Sequence, residues 1–236
     1  MSLVFKRLFR RIKDCFRRYI NGKQPNAILL LHSISGDYYE EKSSPLRWDL
    51  FLELINRYAD KIVPIDAVLR EKNRGLFALT FDDGLLDTYE KAFPYLKARK
   101  IPFTVFVTVD LIGSDSHMNL EQLRQLTGDP LVTIGSHGYT HSVIRSNNAN
   151  YELIESKKAL EELLYTPIHL IAYPYGQSDL RARIIAKKTY EYGFCVMNLG
   201  ISSVTRLFRM RLPRFSFGTK TYDRQMQLLD LISREQ

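Results

Sequence analysis

Two adjacent carboxylates and a pair of imidazoles are the groups in this chain best placed to do chemistry together. Asp82 and Asp83 stand in Thr80-Phe81-Asp82-Asp83-Gly84, and His137 and His141 stand four apart in Ser136-His137-Gly138-Tyr139-Thr140-His141. One carboxylate and two imidazoles can hold a divalent metal and leave positions open for water and substrate. The second carboxylate can then take a proton from that water. Asp-Asp-Gly alone is an ordinary turn. Here both motifs follow apolar runs, which makes a metal-dependent hydrolase the expectation. Gly84 permits the turn that aims both carboxylates inward.

The elements that must position these groups alternate along the chain. Strand-like runs are read at 27–31, 62–65, 76–81, 102–109, 131–135, 168–173, 194–197 and 210–215. Helical patterns lie at 46–55, 67–70, 85–99, 120–126, 150–164, 179–192 and 222–232, with Asn119 as an N-cap and Gly193 closing the helix before it. Such alternation predicts parallel strands with crossover helices, and about seven strands in one domain favour a barrel over an open sheet. Barrel chemistry gathers where strands end. His32, Asp82, Asp83, His137, His141 and Tyr175 all follow predicted strands.

Composition narrows the function. The two cysteines, Cys15 and Cys195, form no CxxC, so neither a disulfide framework nor a cysteine metal site is expected. Residues 1–23 hold eight basic side chains against Asp14, and so account for seven of the chain's eight net positive charges. The remainder, 24–236, is read as the catalytic domain. Residues 1–23 place apolar side chains at helical spacing between the charges. They contain no uninterrupted apolar stretch of the kind a signal peptide or membrane span needs. Two readings stand: an interfacial helix on an anionic membrane, or a helix that closes one end of the barrel. No nucleic-acid motif accompanies the charge. These features predict a cytoplasmic protein, which on the first reading is peripheral at the inner face of the membrane.

The two motifs, followed by Ala172-Tyr173-Pro174-Tyr175-Gly176, resemble the ordered motifs of the NodB-homology polysaccharide deacetylases, carbohydrate esterase family four. The resemblance runs from about Ala27 to Phe217 and is similar in motif type to a subgroup with a Tyr-Pro-Tyr-Gly third motif. It implies a distorted (β/α)₇ barrel, with Asp83, His137 and His141 binding a divalent metal, zinc most commonly, with cobalt or nickel as alternatives. It implies Asp82 as general base and the backbone N–H of Tyr175 as an oxyanion donor. The implied reaction hydrolyses an acetamide, or a similar small acyl amide, on an amino sugar of a polysaccharide or lipid-linked glycan.

The chain also departs from that pattern. Ala172 stands where many members carry an arginine that orients the base, and Leu212-Pro213-Arg214 stands where a leucine–x–histidine motif usually supplies the general acid. Arg214 is therefore expected to approach Asp82 from another strand and keep it ionised. Of the five histidines, His32 is the first candidate acid, His117 the second, and His169 is read as structural. Tyr139 and Tyr175 are candidates to stack on a sugar, whereas Trp48 is read as core. Two rival readings follow from the same residues. The missing arginine and late histidine suit a degenerate barrel that binds metal and sugar without turnover. Two histidines and a carboxylate also suit a non-haem iron oxygenase.

Overall fold

The computed structural model describes residues 24–35, 45–71, 74–201 and 208–233. Seven parallel strands close into a barrel in sequence order: β1 Ala27–Leu31, β2 Phe77–Phe81, β3 Phe103–Val107, β4 Val132–Ser136, β5 Leu170–Ala172, β6 Tyr192–Val196 and β7 Leu212–Ser216. β7 returns to β1, with Leu29 opposite Phe215 and Leu30 opposite Ser216. β1, β2 and β3 are buried at every position, as parallel strands covered on both faces must be. Their continuous apolar sequences follow from that double burial.

Side chains alternate between two cores. One fills the barrel with Ile28, Ala78, Phe106, Ala172, Phe194 and Leu212 among others. The larger core lies between the strands and the outer helices α1 Trp48–Tyr58, α3 Phe93–Ala98, α4 Leu120–Thr127, α5 Ser156–Leu164, α6 Leu180–Thr189 and α7 Tyr222–Ser233. Trp48 packs against it, stacked on Phe51 at 5.3 Å. The helix N-terminal to α5 includes a wider π-turn, Asn150–Glu155, and α3 is likewise preceded by one at Thr88–Ala92.

Two expectations need correction. The run at 62–65 is not a strand: Ile62 makes a single bridge to Phe77, and the chain then turns into α2, Ile65–Arg70. Pro64 has no N–H for a ladder and ends the extended pairing. α2 instead inserts Ile65, Val68 and Leu69 into the barrel core and plugs its lower end. Gly193 does not close α6, which ends at Thr189 before an extended Tyr190. Gly193 lies inside β6, where a Cβ would come within 2.7 Å of the Tyr173 hydroxyl.

Asn119 caps α4 as expected. Its side chain accepts from the N–H of Gln122, and Gln122 answers by accepting from the Asn119 N–H, both at 2.9 Å. Replacing Asn119 by alanine should remove about 1 kcal/mol of stability. Thermal unfolding should show a lowered midpoint.

Candidate metal centre and catalytic site

The inward row of β2 leads directly to the site. Ala78 faces the barrel core, Thr80 follows two residues on, and Asp82 two beyond that. Arg214, on β7, points into the same space. Its two terminal nitrogens donate to the two oxygens of Asp82, each at 2.7 Å. Arg214 is wholly buried and Asp82 nearly so. The guanidinium lies 5.2 Å from the centre of the Phe106 ring, and its Nη1 also donates to Thr80 at 3.3 Å. Thr80 in turn donates to the Leu29 carbonyl at 2.8 Å. Ala172 is buried in the same interior. Ala172 brings no charge to this interior, whose positive charge comes from β7.

The Asp82 carboxyl is set by opposing forces. Burial alone would raise its pKa, but the charges of Arg214 and His137 and the Arg214 hydrogen bonds outweigh it and hold the carboxyl below its ordinary value. Asp82 is thus a carboxylate kept ionised inside the barrel.

Next to it the chain turns sharply. Asp83 has φ of 70°, and Gly84 of 74°, so the Asp83 carboxyl swings toward His137 and His141. Asp83 Oδ1 lies 3.3 Å from His137 Nε2 and 3.1 Å from His141 Nε2. Ligands at about 2.1 Å around a tetrahedral ion are roughly 3.4 Å apart. The three residues offer ligand atoms that all lie within 4.8 Å of one another.

The protonation pattern suits the same purpose. His137 Nδ1 is 2.8 Å from the Ala172 carbonyl. A carbonyl can only accept, so Nδ1 carries the proton and Nε2 presents its lone pair toward Asp83. Burial would lower the His137 pKa, yet the adjacent Asp82 and Asp83 carboxylates lift it above the ordinary value. Burial would likewise raise Asp83, but the adjacent His137 and His141 hold it well below the usual carboxylate range. Two carboxylates kept ionised beside two imidazole nitrogens present a negative potential that a divalent cation can neutralise. The donor set fits the metal that the motifs imply.

Backbone strain concentrates here. Among the described residues, Asp83, His141 and Tyr175 are three of five non-glycine residues with positive φ. Such conformations persist where surrounding contacts fix them. For the 138–141 loop the fixing group is Glu152, a buried carboxylate absent from the sequence reading. It accepts from the N–H groups of Tyr139 at 2.8 Å and Thr140 at 3.1 Å, and from the Thr140 hydroxyl. A Cβ on Gly138 would meet the same carboxylate at 2.8 Å. Asp87, also missed, is fully buried and accepts from Ser33 Oγ at 2.7 Å and the Ile34 N–H at 2.9 Å. It ties the segment after β1, and so His32, to the first motif. An acidic residue in an otherwise apolar helical row is the signal that could have revealed Glu152. Its neighbours Leu153, Ser156 and Leu160 are all buried.

The remaining expected residues divide. His32 lies within the field of Asp83, Asp82, His137 and Arg214. Burial, the largest influence, holds its pKa below the ordinary imidazole value, with the carboxylates pulling the other way. His117 also feels Asp83 and His141, and its Nδ1 shares a 2.8 Å hydrogen bond with Ser114 Oγ. His169 pairs with Glu191 at 3.1 Å, exposed, at the start of β5 and far from the motifs in the barrel's direction. Tyr175 is 62% exposed, and its ring lies 4.9 Å from that of His141. Tyr139 instead turns its ring to Tyr151 at 4.3 Å. Residues 1–23, the basic segment, lie outside the described residues.

Comparison with known proteins places this arrangement. The family model for polysaccharide deacetylase matches residues 70–193, more than half of the chain. The poly-β-1,6-N-acetyl-D-glucosamine N-deacetylase of Staphylococcus aureus is 26% identical over 185 residues, which cover 69% of this chain and 61% of that protein. The chain thus spans about six-tenths of the length of the curated relatives it matches. Among solved structures, the Streptococcus pyogenes deacetylase PplD in complex with acetate aligns with a TM-score of 0.74 at 22% identity, over 88% of this chain and 99% of that one. IcaB from Ammonifex degensii aligns with a TM-score of 0.73 at 19% identity, over 87% and 97%. At these identities the structural likeness is one of fold.

Two variants test the geometry. Glu152→Ala removes the charged acceptor of two loop N–H groups and should cost about 1.5–3 kcal/mol. A lowered unfolding midpoint together with weaker divalent-metal binding is the expected result. Arg214→Ala leaves the Asp82 charge buried and unpaired, a change that typically costs about 3–5 kcal/mol. Loss of this pair should also raise the Asp82 pKa.

Proposed function

Because the chain belongs to the polysaccharide deacetylase family, we propose that it is a metal-dependent hydrolase that removes N-acetyl groups, or similar small acyl groups, from amino sugars of a polysaccharide or lipid-linked glycan. The observation that carries this reading is the bidentate Arg214–Asp82 pair beside the Asp83–His137–His141 cluster. A binding barrel needs ligands for a metal but has no use for a second carboxylate held ionised beside them. That weighs against the non-catalytic reading. The same second aspartate and the family membership weigh against an oxygenase.

An amide resists water, and three demands must be met. Asp83, His137 and His141 would hold the divalent metal, zinc in the first instance and cobalt or nickel as alternatives. A metal so held supplies Lewis acidity that makes water more acidic and the acyl carbonyl more electrophilic. Asp82 takes the proton from the attacking water, and Arg214 keeps it able to do so at neutral pH. The Tyr175 N–H, at the exposed third motif, donates to the oxygen that becomes negative. His32 is the candidate that protonates the departing amine. Its lowered pKa leaves it neutral in the resting site, so the proton it passes to the amine is the one that Asp82 has taken from the attacking water. The Tyr175 ring, exposed over His141, is the better placed of the two tyrosines to stack on a sugar. Arg214 in place of the usual late histidine supports assignment to the subgroup with the Tyr-Pro-Tyr-Gly third motif.

The relative that deacetylates poly-β-1,6-N-acetyl-D-glucosamine makes β-1,6-linked N-acetylglucosamine oligomers the first substrate to try. Acetate release is expected from the wild type, and Asp82→Asn should lose on the order of 10²–10⁴ in turnover while retaining metal. Arg214→Ala should lower turnover at neutral pH and move the acidic limb of the rate profile upward. A depressed carboxyl pKa keeps Asp82 ionised as pH falls, and loss of Arg214 would surrender that range. Unchanged turnover at neutral pH would remove the orienting role.

No helix among the described residues is long and apolar enough to cross a membrane. We place residues 1–23 as a separate basic segment that docks the catalytic domain, 24–236, on an anionic surface at the cytoplasmic face. Removal of 1–23 should abolish binding to anionic vesicles, whereas undiminished binding would refute docking by this segment.

A further inference from the structure

Beside the third motif lies a cavity that the proposed reaction does not use. It occupies about 240 Å³ between the segment that follows His141 and the segment that follows Tyr175. By the volume of liquid water this is room for roughly eight water molecules. The two segments are joined by a bridge between Ile144 and Ser178 and by a hydrogen bond from the Asp179 N–H to the Ile144 carbonyl at 3.3 Å. One wall therefore begins next to Tyr175 and the opposite wall two residues beyond a metal ligand.

The lining is strongly biased in charge. Arg145, Arg183 and Arg211 face the cavity, and Asp179 is its one acidic residue. Asp179 is already committed. One of its oxygens accepts from the Ala182 N–H, capping α6, and the other from the Ser146 N–H, both at 2.8 Å. These backbone hydrogen bonds hold its pKa below the ordinary carboxylate value. Among the described residues, none of the three arginines forms an ion pair. Arg183 is oriented by donating from Nη1 to the Ser178 carbonyl at 2.7 Å, which leaves its other N–H groups for a ligand. Arg145 and Arg211 come from different elements and are exposed. Three guanidiniums line this concavity against a single carboxylate, a net positive lining of the kind that recognises an oxyanion.

We propose that this cavity is an anion subsite, which takes a phosphate or carboxylate group carried by the glycan on a sugar neighbouring the one whose acetamide is cleaved. Its placement rests on the deacetylase reading of the adjacent site, since Gly176 joins the two. A Cβ at Gly176 would come within 2.7 Å of the Val196 backbone nitrogen, so the wall between cleavage site and subsite is tightly built. The subsite selects glycans in which the amino sugar lies next to a charged one, and it weakens for neutral chains.

The test is equilibrium binding to the full-length protein. Three N-acetylglucosamine oligomers are compared: neutral, phosphate-bearing and carboxylate-bearing. One or both charged oligomers should bind about tenfold or more tightly than the neutral one, a factor equivalent to about 1.4 kcal/mol. The stronger of the two identifies the group. The advantage should shrink at high salt, and it should disappear in the double variant Arg145→Glu, Arg211→Glu. The milder Arg145→Gln, Arg211→Gln pair, checked for an unchanged unfolding midpoint, should reduce it in part. Equal binding of all three oligomers by the wild type, or a preference that survives the double charge reversal, would overturn the subsite. Acetate release is read separately. A charge preference without acetate release from any oligomer would keep the subsite and count against the deacetylase reading instead.

Discussion

A buried guanidinium fixes the geometry on which the upper end of this barrel depends. Arg214 reaches across from β7, past β1, and grips Asp82 through both oxygens. Neither ion could be kept alone in the apolar interior lined by Phe106, Phe194 and Leu212. Paired, they resolve each other's desolvation and also lock the first carboxylate of the first motif. Once Asp82 is fixed, the left-handed turn at Asp83 and Gly84 directs the next carboxylate toward His137 and His141. The closing of the barrel between β7 and β1 is what brings the ion pair together. Fold and site are thus one construction: the strand pairing places the arginine, and the arginine places Asp82.

The shell around the ligands follows the same logic. Two segments at the site are held by buried carboxylates from elsewhere in the chain. Glu152 collects the N–H groups of the histidine loop, and Asp87 collects those of the segment after β1. The Ala172 carbonyl fixes the His137 tautomer. These contacts come from other elements, so His137 and the loop that carries His141 are oriented from outside their own segment. Such support is what keeps a metal site rigid enough to discriminate between ions.

Much of the barrel was legible because its strands are buried on both faces and so read as uninterrupted apolar runs, as at Ala27–Leu31 and Phe103–Val107. The run at 62–65 misled because apolar content alone does not separate a strand from a short buried helix, and Pro64 decided the matter. Gly193 misled because glycine serves close approach as readily as helix termination; here it makes room for Tyr173. At the site, the candidate ligand residues and Arg214 were named from motif and order, and they lie together in the fold. Glu152 and Asp87 stayed hidden because a helical carboxylate looks like solvated surface until the loop it accepts from is in place. The cavity of Arg145, Arg183 and Arg211 was equally hidden, because its three charges come from separate elements.

The account centres on a metal held by Asp83, His137 and His141 next to an ionised Asp82. Elemental analysis of the purified wild type and of His141→Ala tests this most directly. Near-stoichiometric zinc, cobalt or nickel in the wild type, lost in the variant, is the result the account predicts. No metal in the wild type, even after reconstitution with each of these ions, would contradict it and leave the cluster without a catalytic role.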